Sequence, residues 1–470
     1  MKNKEIKRVS LFFISSGVCS LISMIVNMVL TRMMDKKTYG ILGMLYSASA
    51  VLIGIICLGS DNSYTRFFFE RPNNDDIKDY SSKAIKLIIL PLVIVTFIFL
   101  IACPLFSVFL FESKNSILII CLLMYSVSMV FYRFQNIYFR MMGDGLHFAF
   151  QCFAVLVFPR IIMLVLYVVL HNYSAIIFMT IVSFLVSLLF ILQYRNIFFS
   201  FWKKSFSGYK SYISYALMTA PLIGLDNLNA WIPQYLIKNY SGLEILGIYN
   251  AALIFPAGLN VLKSCFITIW APFVYKNYKK EEGFFDKYNK LMTCIVVVFM
   301  GGFLLLSDYI YLLVGEDFRV ECRILGLIIF IPLCLLLFET TSYGISVSNK
   351  VYIQTIMIAI TSVFIFLGGK YVGRKYGLIG ILVIIASTYL LYYLISSVIS
   401  NKYLKMVKSM NRVFLSGIIT FLLAILFIIF YDKRIWFNII DCTIMIVFLY
   451  KYRLDIFALF SELKKSNSSE

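Results

Sequence analysis

The sequence predicts an all-α, polytopic membrane protein. Of its 470 residues, 61% are hydrophobic and 14% charged. The mean hydropathy is +0.87, which is not the composition of a soluble chain. Apolar runs of about 20 residues, each enough to cross ~30 Å of hydrocarbon, recur from end to end. A membrane barrel would need alternating strands of about ten residues. These runs are longer and apolar throughout.

Fourteen spans are expected: 11–31, 39–60, 84–110, 116–139, 148–170, 174–194, 211–237, 246–273, 289–314, 322–347, 351–368, 377–400, 413–430 and 436–450. The basic start followed by Leu11 to Leu30, with no small-residue cleavage signature, reads as an uncleaved first helix. The last span is short and ends in charge, so thirteen helices, or twelve with a peripheral hairpin, stay open. Lys and Arg number 28 on the side of the N-terminus and 11 on the other. That bias places both termini in the cytoplasm and favours an even number of helices.

The formal net charge of +19 would suggest nucleic acid in a soluble protein. Here the bases lie in short loops, where they set orientation and meet anionic lipid. No nucleic-acid partner is expected. The ten cysteines fall singly, without a C-x-x-C, and the chain has two histidines. A zinc site or disulfide framework is not expected. P-loop, H-E-x-x-H and G-x-S-x-G motifs are absent. Asp75-Asp76 in RPNNDDIKDY reads as a solvated loop rather than a metal pair. No catalytic residue, metal or cofactor is assigned, and no loop is long enough for an inserted soluble domain.

The stretch from Ser211 to Tyr249 looks like a faint copy of the start. Gly17 and Gly40 match Gly224 and Gly247 at one offset of 207. That is the spacing of a transporter built from two related halves. The expected division is residues 1–210, 211–400 and an extra hairpin with a tail at 401–470.

Polar groups within apolar runs mark either a cavity or a packing seam. In the first helix, Ser16, Ser20, Ser23 and Asn27 share one face. Small residues at a helix seam explain the serines equally well; the amide of Asn27 wants partners. Asp226 and Asn229 share a face of the seventh helix, between Pro221 and Pro233. Arg160 follows Pro159 in mid-span, where a charge costs about 2.5–3.5 kcal/mol and needs a polar partner. It is expected to face the cavity, resting against Asp226 when empty. Arg133, Lys263 and Glu339 are the other embedded charges, and Arg66 stands at the mouth in GSDNSYTRFFFE. Three embedded cations against two anions point to an anionic guest. Asp226 and Glu339 are candidates for proton or sodium coupling; pairing with Arg160 or Lys263 is the alternative.

The order of these stretches resembles the polysaccharide transporters of the MATE-like superfamily, the O-antigen or lipid-linked-oligosaccharide flippases of bacteria. It rests on the basic start and first helix through Asn27, and on LTRMMDKKTYGILGMLYS and GSDNSYTRFFFE. The restart at KSYISYALMTAPLIGLDNLNAWIPQYLI and then LGIYNAALIF completes it. The resemblance implies two six-helix bundles related by a pseudo-two-fold along the membrane normal, here with about two added C-terminal helices. It implies alternating access around a central cavity in the bacterial cytoplasmic membrane. The substrate would be an undecaprenyl-diphosphate-linked glycan, as in lipopolysaccharide assembly. Asn27 and Arg32 are placed toward it by the first-helix pattern, and Arg66 more loosely. Arg133, Arg160 and Lys263 are placed there by chemistry. Anionic lipid, polysaccharide polymerase and glycosyltransferases are the partners implied, with a proton or sodium gradient or the membrane potential as the drive.

Two other functions compete. A multidrug or small-molecule antiporter of the same fold would call for an acidic cavity, and this one leans basic. An integral-membrane polysaccharide polymerase or ligase would call for a large external loop.

Overall fold

The computed structural model describes residues 2–68, 74–199, 209–279, 284–348 and 350–467. Among the described residues every regular element is helical. A helix satisfies its backbone within one segment, which an apolar run in hydrocarbon requires. The long or structurally informative helices are α1 (Lys2–Met33), α2 (Lys36–Cys57), α3 (Ser60–Phe67), α4 (Asn74–Ile101), α5 (Cys103–Phe111) and α6 (Ile117–Met142). Then come α7 (Gly145–Leu170), α8 (Ser174–Gln193), α9 (Tyr209–Ala252), α10 (Ile254–Asn277) and α11 (Asp286–Leu305). The last are α12 (Leu325–Glu339), α13 (Val351–Tyr403), α14 (Met410–Ile429) and α15 (Arg434–Asn467).

Eleven helical stretches among the described residues are long and apolar enough to cross a membrane. Two are too long for one crossing: 210–277 has 68 residues and 352–403 has 52. Each breaks at a glycine with positive φ, Gly242 at 83° and Gly377 at 54°, where a side chain would be strained. Divided there, and with the shorter apolar Gly17–Met33, the described residues carry fourteen apolar helical segments. The span expected at 84–110 is interrupted at Ala102, because Pro104 sits in the first turn of α5 and starts a new helix. Large apolar side chains such as Leu90, Phe97 and Leu105 are exposed, as lipid-facing residues of a multi-pass membrane protein are.

The packing forms two compact units, 1–251 and 252–470. The boundary expected at 210/211 falls inside the first unit, and α9 belongs to it. In the first unit α6 is central and packs against α2, α4 and α8. Small residues permit the approach: Ser128 Oγ lies 2.8 Å from Ser183 Oγ and 2.6 Å from Ser187 Oγ. In the second unit α12 is central, packed against α10, α11, α13 and α14. It is hydrophobic all round, as a fully enclosed helix must be. Arg412 ties α14 to α11: it is ion-paired to Asp286 and donates to Asn289 Oδ1 at 3.1 Å.

The glycines matched at the offset of 207 meet in the first unit. A Cβ on Gly40 would stand 3.0 Å from the carbonyl carbon of Leu243 and 3.2 Å from the Gly247 nitrogen. A Cβ on Gly247 would stand 2.9 Å from the carbonyl carbon of Lys36 and 3.2 Å from the Gly40 nitrogen. The contact is reciprocal: Lys36 and Leu243 are also one offset apart. Gly17 and Gly224 match in the opposite sense, both facing open space.

Between α1 and α2 the chain turns on Asp35, the N-cap of α2. Its Oδ2 accepts from the Thr38 N–H at 2.9 Å, and its Oδ1 from the Tyr167 hydroxyl at 2.9 Å. Partial desolvation pushes this carboxyl up, but the hydrogen bonds from Thr38 and Tyr167 outweigh it and hold it below its ordinary value. A carboxylate whose folded pKa is depressed stabilises above its unfolded value, and the contribution is lost as pH falls through the folded one. Asp35→Ala is expected to cost about 1 kcal/mol at neutral pH. The difference in apparent Tm from native protein should shrink as pH falls below about 4. A pH-independent difference would show that the charge of Asp35 contributes nothing.

Candidate substrate site

Two of the candidate arginines lie on helices of membrane-spanning length in the first unit, each held by a different device. Arg160 sits on α7, one residue after Pro159. Proline has no N–H to donate. Just before it the helix widens into a π turn at Phe153–Val157, with the Phe158 N–H reaching back five residues to Phe153. Such a turn rotates the residues that follow it and is common at functional positions. Half-buried Arg160 lies 5.3 Å from the centroid of the Tyr46 ring and against the hydroxyls of Tyr46 and Tyr125. These two rings are themselves 5.3 Å apart. The partner expected from the sequence was Asp226. The structure instead supplies aromatic faces and phenol oxygens, which hold a guanidinium without neutralising it.

Arg133, on α6, is held by a carboxylate. Its Nε lies 2.9 Å from Asp61 Oδ2; the Arg133 side chain is 41% exposed and that of Asp61 3%. The other oxygen of Asp61 is buried with no hydrogen-bond partner. Asp61 therefore fixes one edge of the guanidinium and leaves the rest accessible. Tyr125 and Arg133 are eight residues apart on α6, about 12 Å along the axis. The two arginines thus meet α6 at two depths. Asp61 lay within the quoted stretch GSDNSYTRFFFE, but nothing local in the sequence marks its pairing with Arg133.

The remaining candidates are dispersed. Arg66 is exposed and stacks on Tyr215, 4.3 Å from its centroid. Arg32 is exposed at the end of α1, and Asn27 is half-buried, as are Ser20 and Ser23. The side chains of Ser16, Asp75 and Asp76 lie outside those described. Asp226 is exposed whereas Asn229, one turn on along the same helix, is buried. Asn227 between them is the amide that reaches α2, its Nδ2 lying where a side chain on Gly54 would be. Buried amides pair across turns of chain that no local pattern marks: Gln234 donates to Asn250 and Gln151 to Gln135, each at 2.6 Å.

In the second unit, Lys263 is the one charged residue lining a cleft of about 200 Å³ between α10, α11 and α12, with Leu262, Phe266 and Phe299 among its apolar walls. Glu339 is close enough to feel the Lys263 charge, and it also bonds Tyr343. No group of three His, Cys, Asp or Glu capable of holding a metal occurs among the described residues.

Helices of membrane-spanning length define a multi-pass membrane protein, and its fold matches solved structures of MATE-like proteins. The chain aligns with "Lipid II flippase MurJ, inward closed conformation" at TM-score 0.69 and 16% identity, over 95% of this chain and 99% of that one. It aligns with an inward-facing multidrug resistance MATE family transporter of the MOP superfamily at TM-score 0.55 and 14% identity, over 82% and 94%. An outward-facing structure of such a transporter gives TM-score 0.53 and 14% identity, over 83% and 94%. Residues 6–274 match the family described as "Polysaccharide biosynthesis protein", and the chain belongs to that family. No curated protein matches it in sequence.

Proposed function

We propose that the protein moves an undecaprenyl-diphosphate-linked polysaccharide repeat unit from the inner to the outer leaflet of a bacterial cytoplasmic membrane, without making or breaking a covalent bond. The observation that carries this reading is the pair Arg133 and Arg160. Two guanidinium groups on helices of membrane-spanning length are held partly accessible, by Asp61 in one case and by Tyr46 and Tyr125 in the other. A planar fork suits a phosphate or carboxylate oxygen pair. A lipid tail remains in hydrocarbon while the headgroup is carried past these groups, which lowers its desolvation barrier. The family match and the flippase fold support the same reading. The retained cations argue against a drug antiporter, whose cationic substrates they would repel.

On this reading both termini are cytoplasmic, and the Gly40–Gly247 crossing closes the outward side. Polysaccharide polymerase and glycosyltransferases are the partners that would use and supply the lipid-linked unit. Asn27, Arg32, Arg66 and Lys263 contribute further contacts to the anionic headgroup, and Asp226, Asn229 and Glu339 are candidates for ion coupling or pairing within the cavity.

The test is reconstitution in liposomes with a fluorescent undecaprenyl-diphosphate oligosaccharide, scored by quenching from outside. Accelerated loss of the protected inner-leaflet signal is expected. Its absence in folded protein, or formation or cleavage of a glycosidic bond, would refute the proposal. Labelling a cysteine added at Glu470 from one side only would fix the topology.

A further inference from the structure

The last helix buries a carboxyl group with nothing beside it to bind. Asp441 on α15 is 0% exposed, and neither side-chain oxygen has a hydrogen-bond partner. It faces α11 at Gly301. A Cβ at Gly301 would collide with Asp441 Oδ1 and come within 2.7 Å of Met445 Sδ. The glycine leaves the room that the carboxyl occupies. Further along the same interface the packing is apolar, with Cys294, Val297, Phe448 and Tyr452 buried together.

The charged groups of the packed elements stand at its ends. Arg434, on α15, is bonded to Asp308 and lies over the rings of Phe427 and Tyr431; Asp432 and Lys433 precede it in a short turn. At the other end, Arg412 of α14 is bonded to Asp286 of α11, with Lys287 and Lys290 in the following turn, and Lys451 and Arg453 lie on α15. Cys294 and Tyr452 are buried in the interface, and Cys442 and Tyr450 on α15 are exposed away from it. Seven residues separate Asp441 from Arg434, about 10 Å along the helix. An ionised carboxylate at that depth, with neither counter-charge nor hydrogen bond, is far costlier than a neutral acid.

We propose that Asp441 is a proton-binding site that locks α15 onto α11. The carboxyl carries its proton while the helices are docked, and gives it up only when the interface opens to water. A hard metal cation would need several oxygen ligands, whereas Gly301 and Met445 are the neighbours here. The docked state then binds one proton more than the open state. Opening becomes easier as pH rises, by up to about tenfold per unit.

The interface contains its own reporter. Cys294 is 2% exposed, with its Sγ 3.9 Å from the Phe448 carbonyl. Maleimide labelling of Cys294 in the full chain, in nanodiscs and read by mass spectrometry, measures opening. Asp441→Asn keeps the shape without a proton to lose, and dividing by its rate removes the thiol's own titration. The native-to-variant ratio is expected to rise with pH, up to about tenfold per unit. Infrared spectra of native protein should show a protonated-carboxyl stretch that Asp441→Asn removes. Replacing sodium by choline should leave both readouts unchanged. A flat ratio would overturn the lock, a missing band would overturn the proton, and a sodium-dependent ratio would show a cation site instead.

Discussion

Gly40→Ala and Gly247→Ala are each expected to part α2 from α9 at residues 243–247, and the double variant to cost no more than the worse single. Each added methyl meets backbone of the opposing segment at 3.0 Å or closer. Backbone cannot rotate away as a side-chain tip can. Overpacking of this kind costs about 1–3 kcal/mol. As a population shift that is roughly 5- to 150-fold against the closed crossing. One separation accommodates both methyls, so the penalties should be strongly non-additive. Lys37 and Glu244 are exposed beside the crossing. Spin labels there, with the exposed thiols Cys265 and Cys442 replaced, report its opening. A longer, broader distance distribution in both single variants is expected, with impaired flipping. Unchanged distances, or additive penalties, would mean that the crossing is not a closed contact that the protein has to form.

The second large effect separates fold from function at the arginines. Arg133→Ala strands Asp61, a carboxylate 3% exposed; because Arg133 itself is 41% exposed, solvent screening holds the loss below the figure of about 3–5 kcal/mol for a fully buried pair. That variant should be poorly folded. Asp61→Asn/Arg133→Ala should regain monodisperse behaviour in detergent, yet flip lipid-linked glycan at least about tenfold more slowly, a loss of about 1.4 kcal/mol in transition-state stabilisation. Arg160→Ala strands no carboxylate, because its partners are Tyr46 and Tyr125. It should fold at normal abundance and still flip slowly, while Arg160→Lys recovers only part because the planar fork is lost. Normal flipping by the double variant and by Arg160→Ala would remove both residues from the site.

The sequence by itself determined the membrane class and the approximate spans. These follow from long apolar runs, a local signal. It also determined which cations must have partners, since charge at membrane depth is legible from one chain. Only the tertiary structure decided what those partners are. Asp61 and Arg133 are far apart in sequence, Arg160 chose tyrosines over Asp226, and Asp441 has no partner. Pairing across helices depends on rotation about each axis, and a π turn or a proline resets that rotation without altering composition. The tertiary structure also placed α9 with the first unit and turned a weak repeat of two glycines into a contact, because backbone can approach backbone so closely only where both segments lack a side chain.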